Sequence, residues 1–425
     1  MVIMNGNYKE FKLDNGLFVA LQKTPTQTIF ARLRVNSGAL NEEPGQEGLA
    51  HLLEHVLVNG GSRKFDIDQV TGIRSSLGCT NASTSRDETN VIVDILPQDI
   101  DMSLEFMADS TFYPRLDERI LNIERQRVLR EISDYKSAPY FRDMKTANEA
   151  VYGTDSPHIY PVSGKEEVIA IATQEDLRKL HEKGFCSDNS DLILVGALPK
   201  NVEELVRKHF SELPRGEKQK FKFPRVRPLK DKTIIHTLAP DLYNHDSPEQ
   251  SNAFMALAFL GPTGTDKDSY AMRVLATILA GNHKSRIPLC IADAGLSYHV
   301  DCSYQASNND GLITFRGNIH SKRTDEALDL MFAQFAKIKK ELVYPGELDL
   351  LKKQLLYNFA KKFETNSGHA GAIEIKIDHG LTADKFIQNM SSVTPEQIRE
   401  AANKYLPSDR ENGKYVLLIR DPLKR

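Results

Sequence analysis

Two histidines and a glutamate lie close together near residue 50. The segment His51-Leu52-Leu53-Glu54-His55 separates the two imidazoles by four positions. Residues four apart share one face of a helix, so both rings can reach the same ion, with the Glu54 carboxylate beside them. Zn²⁺ in a catalytic site usually takes three protein ligands and leaves a position for water. The spacing therefore predicts a zinc hydrolase site in which Glu54 accepts the proton of the attacking water.

The third ligand must come from another part of the chain. Residues 122–131 contain few helix breakers, and within them Glu124 and Glu131 are seven positions apart, which is two helical turns. Only one of these carboxylates needs to reach the metal. Both could also belong to an ordinary charged helix face, which is common in segments rich in Glu and Arg.

The surrounding sequence resembles the pitrilysin and insulinase (M16) family of metallopeptidases, for which His-x-x-Glu-His is the inverzincin signature. The similar stretches are residues 13–17, 48–50 and 81–84. The resemblance implies that the third zinc ligand is Glu131, which follows His55 by 131 − 55 = 76 positions. It also implies that Glu124 supports catalysis by orienting a metal ligand.

Substrate binding is expected to involve Asn81 and Ala82. Their segment, residues 80–84, is predicted to offer a strand edge to which an extended peptide adds through main-chain hydrogen bonds. The alternative interpretation is an ordinary interior strand. In the second half, Tyr298 lies in a segment that resembles the family's Gly-Leu-x-Tyr, which implies contact with the substrate carbonyl.

One position departs from the family pattern. Family members with a complete site carry an Arg seven residues before this Tyr, but the corresponding residue here is Ile291, and Arg286 lies five positions further upstream. An apolar side chain cannot donate to a developing oxyanion, a role whose loss costs about 10²–10³ in rate. We therefore expect a homologous partner without the zinc motif to supply the Arg, or a homodimer that uses Arg286.

The predicted fold class is α+β. At 425 residues the chain is too long for one ordinary core, and its second half repeats the order of strands and helices of the first. We expect an N-terminal zinc-binding domain (1–215), a linker (216–232) and a C-terminal domain without metal ligands (233–425). Each domain should be a mostly antiparallel sheet packed with helices. The family resemblance implies that the two form one half of a clamshell.

Composition excludes several other classes of protein. A net charge of −3 argues against a nucleic-acid surface, and the chain has no apolar run of the ~20 residues that a membrane span needs. The N-terminus carries no secretory pattern, so the expected location is the cytoplasm. Four scattered cysteines, at positions 79, 186, 290 and 302, imply neither a disulfide framework nor a thiolate metal site.

The predicted function is that of a zinc metalloendopeptidase subunit that hydrolyses unfolded peptides in an enclosed chamber, completed by a homologous partner. Two alternatives stay open at this point. One is a non-catalytic scaffold or assembly subunit of the same superfamily, which the absence of Arg at position 291 favours. The other is a protease dedicated to the maturation of one peptide precursor, acting as a homodimer.

Overall fold

Buried apolar strands at the centre and more exposed strands at the edges form two separate sheets. The structure, a computed structural model, describes residues 7–153, 161–218, 229–297, 299–307 and 310–422, without the side chains of 139–143. The chain divides into two units. Among the described residues, the first unit contains 7–136, 161–218 and 360–384, and the second unit contains 137–153, 229–359 and 385–422.

The first unit is built on a six-stranded sheet with the order β1-β2-β6-β3-β5-β4. Strands β2 and β6 run parallel, and every other neighbouring pair is antiparallel. The central strands are rich in β-branched and aliphatic residues, which suit a pleated surface buried on both faces. The strands are Tyr8–Lys12 (β1), Phe18–Lys23 (β2), Ile29–Val35 (β3), Cys79–Thr84 (β4), Thr89–Ile95 (β5) and Ser190–Gly196 (β6).

Helices complete the first unit, and their apolar faces form the core against the sheet. Leu52, Leu53 and Val56 of α1 are fully buried, together with Leu121 and Val128 of α4. The helices of this unit are Leu49–Asn59 (α1), Ile67–Ser76 (α2), Ile100–Phe112 (α3), Glu118–Ser137 (α4), Glu166–Ile171 (α6), Gln174–Gly184 (α7), Val202–Phe210 (α8) and Asn366–His379 (α13).

The second unit is built on a five-stranded sheet with the order β7-β11-β8-β10-β9. Strands β7 and β11 run parallel, and the other pairs are antiparallel. Its strands are Thr233–Leu238 (β7), Asn252–Leu260 (β8), Val300–Ala306 (β9), Gly311–His320 (β10) and Val416–Asp421 (β11). Its helices are Pro139–Tyr152 (α5), Ser269–Ala280 (α9), Arg286–Asp293 (α10), Thr324–Lys340 (α11), Pro345–Lys362 (α12), Ala383–Ser391 (α14) and Pro395–Tyr405 (α15).

The two sheets share one strand plan, which confirms the predicted α+β class with two similar halves. Read from the parallel pair, β2-β6-β3-β5-β4 in the first unit corresponds to β7-β11-β8-β10-β9 in the second. In both units a helix pair follows the third strand of this series, α1 and α2 in one and α9 and α10 in the other. The first unit has the additional strand β1.

The units do not coincide with consecutive halves of the sequence. Helix α5 packs on β11 and β8 of the second unit, although it lies within the first half of the chain. Helix α13 packs on β6 and β3 of the first unit, although it lies within the second half. The division into domains 1–215 and 233–425 stays a prediction, and most of the proposed linker, residues 219–228, lies outside the described residues.

No helix in the described part of the chain has the length and apolar character to span a bilayer.

Candidate metal centre

Helix α1 begins at a tightly constrained turn. Gly48 has a φ of +102°, and a Cβ atom there would lie 2.6 Å from the carbonyl oxygen of Ser163, so glycine is required on both counts. The side-chain oxygens of Glu42 accept hydrogen bonds from the backbone N–H groups of Gly48 and Ala50, at 3.0 and 2.8 Å. These contacts satisfy two of the unpaired donors at the start of the helix and fix its position.

His51, His55 and Glu131 converge on one point in the first unit. Their ligand atoms all lie within 4.8 Å of one another. The Nε2 atom of His51 is 3.8 Å from one Glu131 carboxylate oxygen, and Nε2 of His55 is 3.8 Å from the other. The helix spacing places the two rings edge to face, with centroids 4.7 Å apart.

These three side chains fit a zinc ion. Zinc binds imidazole nitrogen and carboxylate oxygen at about 2.0–2.2 Å, which places tetrahedral ligand atoms about 3.3 Å apart. The observed 3.8 Å separations are too long for hydrogen bonds and wider than this spacing, so binding of an ion would draw the ligand atoms closer together. In addition, Nδ1 of His51 is buried without a hydrogen-bond partner in the described structure.

Glu124 contacts the His55 ring at Nδ1, while Nε2 of the same ring faces Glu131. Its fully buried carboxylate contacts Nδ1 of His55 at 3.0 Å and accepts a hydrogen bond of 2.6 Å from Nη1 of Arg127. With Nδ1 donating to this carboxylate, Nε2 of His55 keeps its lone pair for the convergence point. The structure thus assigns different positions to the two candidate carboxylates: Glu131 lies at the ligand cluster, and Glu124 lies behind it.

Glu54 lies on α1 next to the ligands and is buried. Burial raises the pKa of its carboxyl group, and hydrogen bonds from Thr84, the last residue of β4, oppose this rise. A buried carboxylate held beside such a cluster is placed to act as a general base.

The two histidines differ in their ionisation. Burial, followed by the proximity of His55, lowers the pKa of His51 to about 4, so this ring is neutral at pH 7. Burial acts in the same direction on His55, but the Glu124 hydrogen bond and nearby carboxylates outweigh it and raise the pKa of that ring.

Asn81 and Ala82 lie on β4, which is an edge strand of the first sheet. In the described structure β4 pairs with β5 and has no strand on its other side. Its residues alternate between exposed and half-buried. An edge strand of this kind presents unpaired main-chain groups to a further strand.

Two sequence profiles match the chain. The one described as "Insulinase (Peptidase family M16)" matches residues 18–155, and the one described as "Peptidase M16 inactive domain" matches residues 172–355. The chain belongs to the M16 peptidase family. The ligand cluster lies within the first match, and no residue of the cluster lies within the second.

Relatives agree with this assignment along most of the chain. The uncharacterized zinc protease YmxG of Bacillus subtilis (strain 168) is 24% identical over 97% of this chain and 98% of its own length. The beta subunit of mitochondrial-processing peptidase from Blastocladiella emersonii is 24% identical over 93% of this chain and 85% of its own. A crystal structure of a protease from Helicobacter pylori has the same fold, with a TM-score of 0.84, 21% identity and coverage of 98% and 99%.

The second half provides fewer of the substrate-binding residues that the resemblance to M16 peptidases predicts. Tyr298 lies outside the described residues. Ile291 is fully buried in the core of the second unit. Arg286 forms a two-point ion pair with Glu347, with N–O distances of 2.8 and 2.6 Å, so its guanidinium is already engaged.

Several residues near the site carried no signal in the sequence. Glu42 and Arg74 are brought to α1 and β4 by the fold, Arg127 contacts Glu124 on its own helix, and none of the three stands in a motif that spacing alone identifies. Only Arg127 could have been suspected, because it lies on the same face of α4 as Glu124 and Glu131.

Proposed function

We propose that this chain is a zinc metalloendopeptidase subunit that hydrolyses unfolded peptides in an enclosed chamber. The observation that carries the proposal is the convergence of His51, His55 and Glu131 beside the buried Glu54. The M16 membership of the chain and the zinc protease names of its relatives support the same function.

Each side chain has one role in the proposed reaction. His51, His55 and Glu131 would hold Zn²⁺, which supplies a Lewis acid for the scissile carbonyl and lowers the pKa of a water molecule towards ~7. Glu54 takes a proton from the attacking water and later delivers one to the leaving amine. Glu124 keeps His55 in the correct tautomer and orientation through their 3.0 Å contact.

The peptide would bind by adding a strand to β4. The segment of Asn81 and Ala82 would offer alternate main-chain groups at this open edge, with the Ala82 N–H exchanging its 2.9 Å hydrogen bond to the Asn81 side-chain oxygen for one to the peptide. The small side chains of the segment tolerate varied sequences. Thr84 connects the end of this strand to Glu54, so a peptide paired with β4 would pass close to the proposed base. Tyr298 is proposed as a further substrate contact.

A homologous subunit without the zinc motif is the proposed partner. The buried Ile291 cannot donate to the substrate carbonyl, and one relative is itself named as a beta subunit. A homodimer that uses Arg286 is the alternative, but it would require Arg286 to leave its ion pair with Glu347. That homodimer could be a protease for one peptide precursor. The proposed location is the cytoplasm.

The second candidate function is a non-catalytic scaffold subunit of the same family. The buried Ile291 favours it, because the chain then lacks one of the groups expected to act on the substrate. The complete set of His51, His55, Glu131 and Glu54 argues against it, because a scaffold has no need of a base beside three ligands.

The test compares the wild type with Glu54→Gln and with the exposed control Glu182→Gln. Zinc content is measured by mass spectrometry, and turnover is measured with an internally quenched peptide, with and without a candidate partner. We expect Glu54→Gln to retain zinc and to lose about 10²–10⁴ in kcat, and the control to match the wild type. Equal turnover of the wild type and Glu54→Gln would remove the proposed base. A zinc-loaded wild type without turnover in either condition would favour the scaffold.

A further inference from the structure

Arg74 lies where α1, α2 and β4 meet. Its Nε donates to the hydroxyl oxygen of Thr80 at 3.3 Å, and its Nη1 donates to the side-chain oxygen of Asn59. Asn59 follows His55 by one helical turn on α1, and Thr80 is the second residue of the edge strand. A half-buried guanidinium therefore lies between the histidine-bearing helix and the open edge of the sheet.

The positive charge of Arg74 has no direct carboxylate partner in the described part of the chain. Both of these hydrogen bonds are to neutral oxygens. Glu124 is near enough to affect the pKa of Arg74, but its two oxygens are already bonded to His55 and Arg127. Half-burying a cation against neutral partners costs free energy, so Arg74 is poorly explained as a purely structural residue.

Arg127 adds a second cation to the same region. It lies three residues after Glu124 and four before Glu131, and therefore on the face of α4 that bears both carboxylates. Its Nη1 bonds to Glu124, while its side chain is 56% exposed. The remaining donors of this guanidinium are available to a ligand, and its charge acts on Arg74.

We propose that Arg74 and Arg127 form a subsite for an acidic side chain of the bound peptide. This inference rests on the proposed function, because it places the peptide on β4. Thr80 and Thr84 are separated by about 13 Å along the strand. Glu54 is joined to the Thr84 end and Arg74 to the Thr80 end. The recognised Asp or Glu would thus lie about two to four residues from the bond to be cleaved.

The number of cations limits what the subsite can recognise. Two guanidiniums suit one carboxylate, which accepts paired hydrogen bonds from arginine. An extended polyanion would need many more positive groups, and the chain carries a net charge of −3. The subsite therefore selects a peptide by one acidic residue.

The experiment measures peptide binding to the intact Glu54→Gln chain by fluorescence anisotropy, so that it does not depend on turnover. The probes are neutral ten-residue peptides in which a single Glu, Gln or Lys is moved through the positions around the centre. At one position we expect Glu to bind about five- to tenfold more tightly than Gln, as for a charge-assisted hydrogen bond, and Lys to bind more weakly. The preference should weaken at high salt.

Substitutions then test whether Arg74 and Arg127 cause the preference for Glu over Gln. In the Glu54→Gln background, Arg74→Gln should reduce the Glu/Gln ratio to about 1, and Arg74→Glu should favour Lys. Arg178→Gln, which removes an exposed arginine on α7, should change nothing. Arg127→Gln should act like Arg74→Gln, and its zinc content is measured because Arg127 also contacts Glu124. Thermal melting identifies any variant that does not fold.

Three outcomes would overturn the subsite. They are equal binding of Glu and Gln peptides at every position, an unchanged preference in folded Arg74→Gln, and no binding of any peptide. The peptide series on unsubstituted Arg74 decides the question even if an Arg74 variant does not fold. Charge-selective binding without hydrolysis by the chain with Glu54 intact, either alone or with the candidate partner, would refute the proposed peptidase while supporting the subsite. Hydrolysis without charge preference would support the proposed peptidase and refute the subsite.

Discussion

The two units share a strand order, but the helices that follow β3 and β8 carry different residues on one of their faces. Helix α9 packs apolar residues such as Leu275 and Leu279 into its core, and it contains no His, Asp or Glu. Helix α1 buries a comparable apolar face, but it also carries His51, His55 and Asn59 at intervals of four residues. The apolar face maintains the fold in both units, and the chemistry depends on the opposite face in one of them.

Removal of a ligand should have the largest effect, and it should be confined to the first unit. We expect His55→Ala to lose zinc and peptide hydrolysis together, because a two-ligand site binds zinc weakly. Mass spectrometry of the native protein and the quenched-peptide assay measure both losses. The control is His283→Ala, an exposed histidine of the second unit. Full zinc content in His55→Ala would refute the ligand assignment.

Truncation of the shared apolar faces should affect both units similarly. Leu52 of α1 and Leu275 of α9 are fully buried, so replacing either with Ala should lower the free energy of unfolding by about 2–5 kcal/mol. Urea unfolding in the presence of a chelator measures this loss. Zinc affinity should fall only in Leu52→Ala, which is adjacent to His51. An equal loss of zinc affinity in Leu275→Ala would contradict the separation of fold from chemistry.

The support of His55 by Glu124 should have a smaller effect. Glu124→Gln replaces one carboxylate oxygen by an NH₂ group and removes the negative charge, which weakens the charge-assisted contacts to His55 and Arg127. We expect zinc affinity, measured by competition with a chelator, to fall about 10–100-fold. Glu118→Gln, on the exposed start of the same helix, should bind zinc like the wild type. A Glu124→Gln variant with unchanged affinity would show that the buried contact does not tune the ligand.

Glu42, which bonds to the start of α1, should affect the pH dependence of stability rather than the rate of peptide hydrolysis. Burial raises the pKa of Glu42 to about 8 from an ordinary value of 4.5, so the folded state holds a proton that the unfolded state releases between these values. Stability therefore falls as pH rises from about 4.5 to 8. Glu42→Gln removes this titration, so the melting temperature of the wild type relative to the variant should decline across that range. A difference that stays constant with pH would argue against a protonated Glu42.

Local patterns explain why much of the first unit could be predicted. Apolar periodicity in the sequence marks both strand Ile29–Val35 and helix Ile100–Phe112. The cluster of His51 and His55 followed from helix spacing. Glu131 required the family resemblance, because no local rule connects two positions 131 − 55 = 76 residues apart.

The elements that the local sequence does not mark depend on tertiary structure. Edge strand Thr233–Leu238 is largely exposed, so it lacks the continuous apolar pattern of a central strand. Helix Pro139–Tyr152 is covered by the sheet of the other half of the sequence, a pairing that local sequence does not encode. Arg74 acquires its position only when α1, α2 and β4 assemble.

The place of α13 in the first unit has a consequence for synthesis on the ribosome. Its Ala370 and Ile373 cover Phe30 and Ile193 of the first sheet, and its Asn366 bonds to the loop before β3. The ribosome must therefore synthesise the chain past residue 379 before α13 can pack on the sheet of the first unit. A nascent chain that stalls before that point would expose the apolar surface of this sheet, and exposed surfaces of this kind promote aggregation.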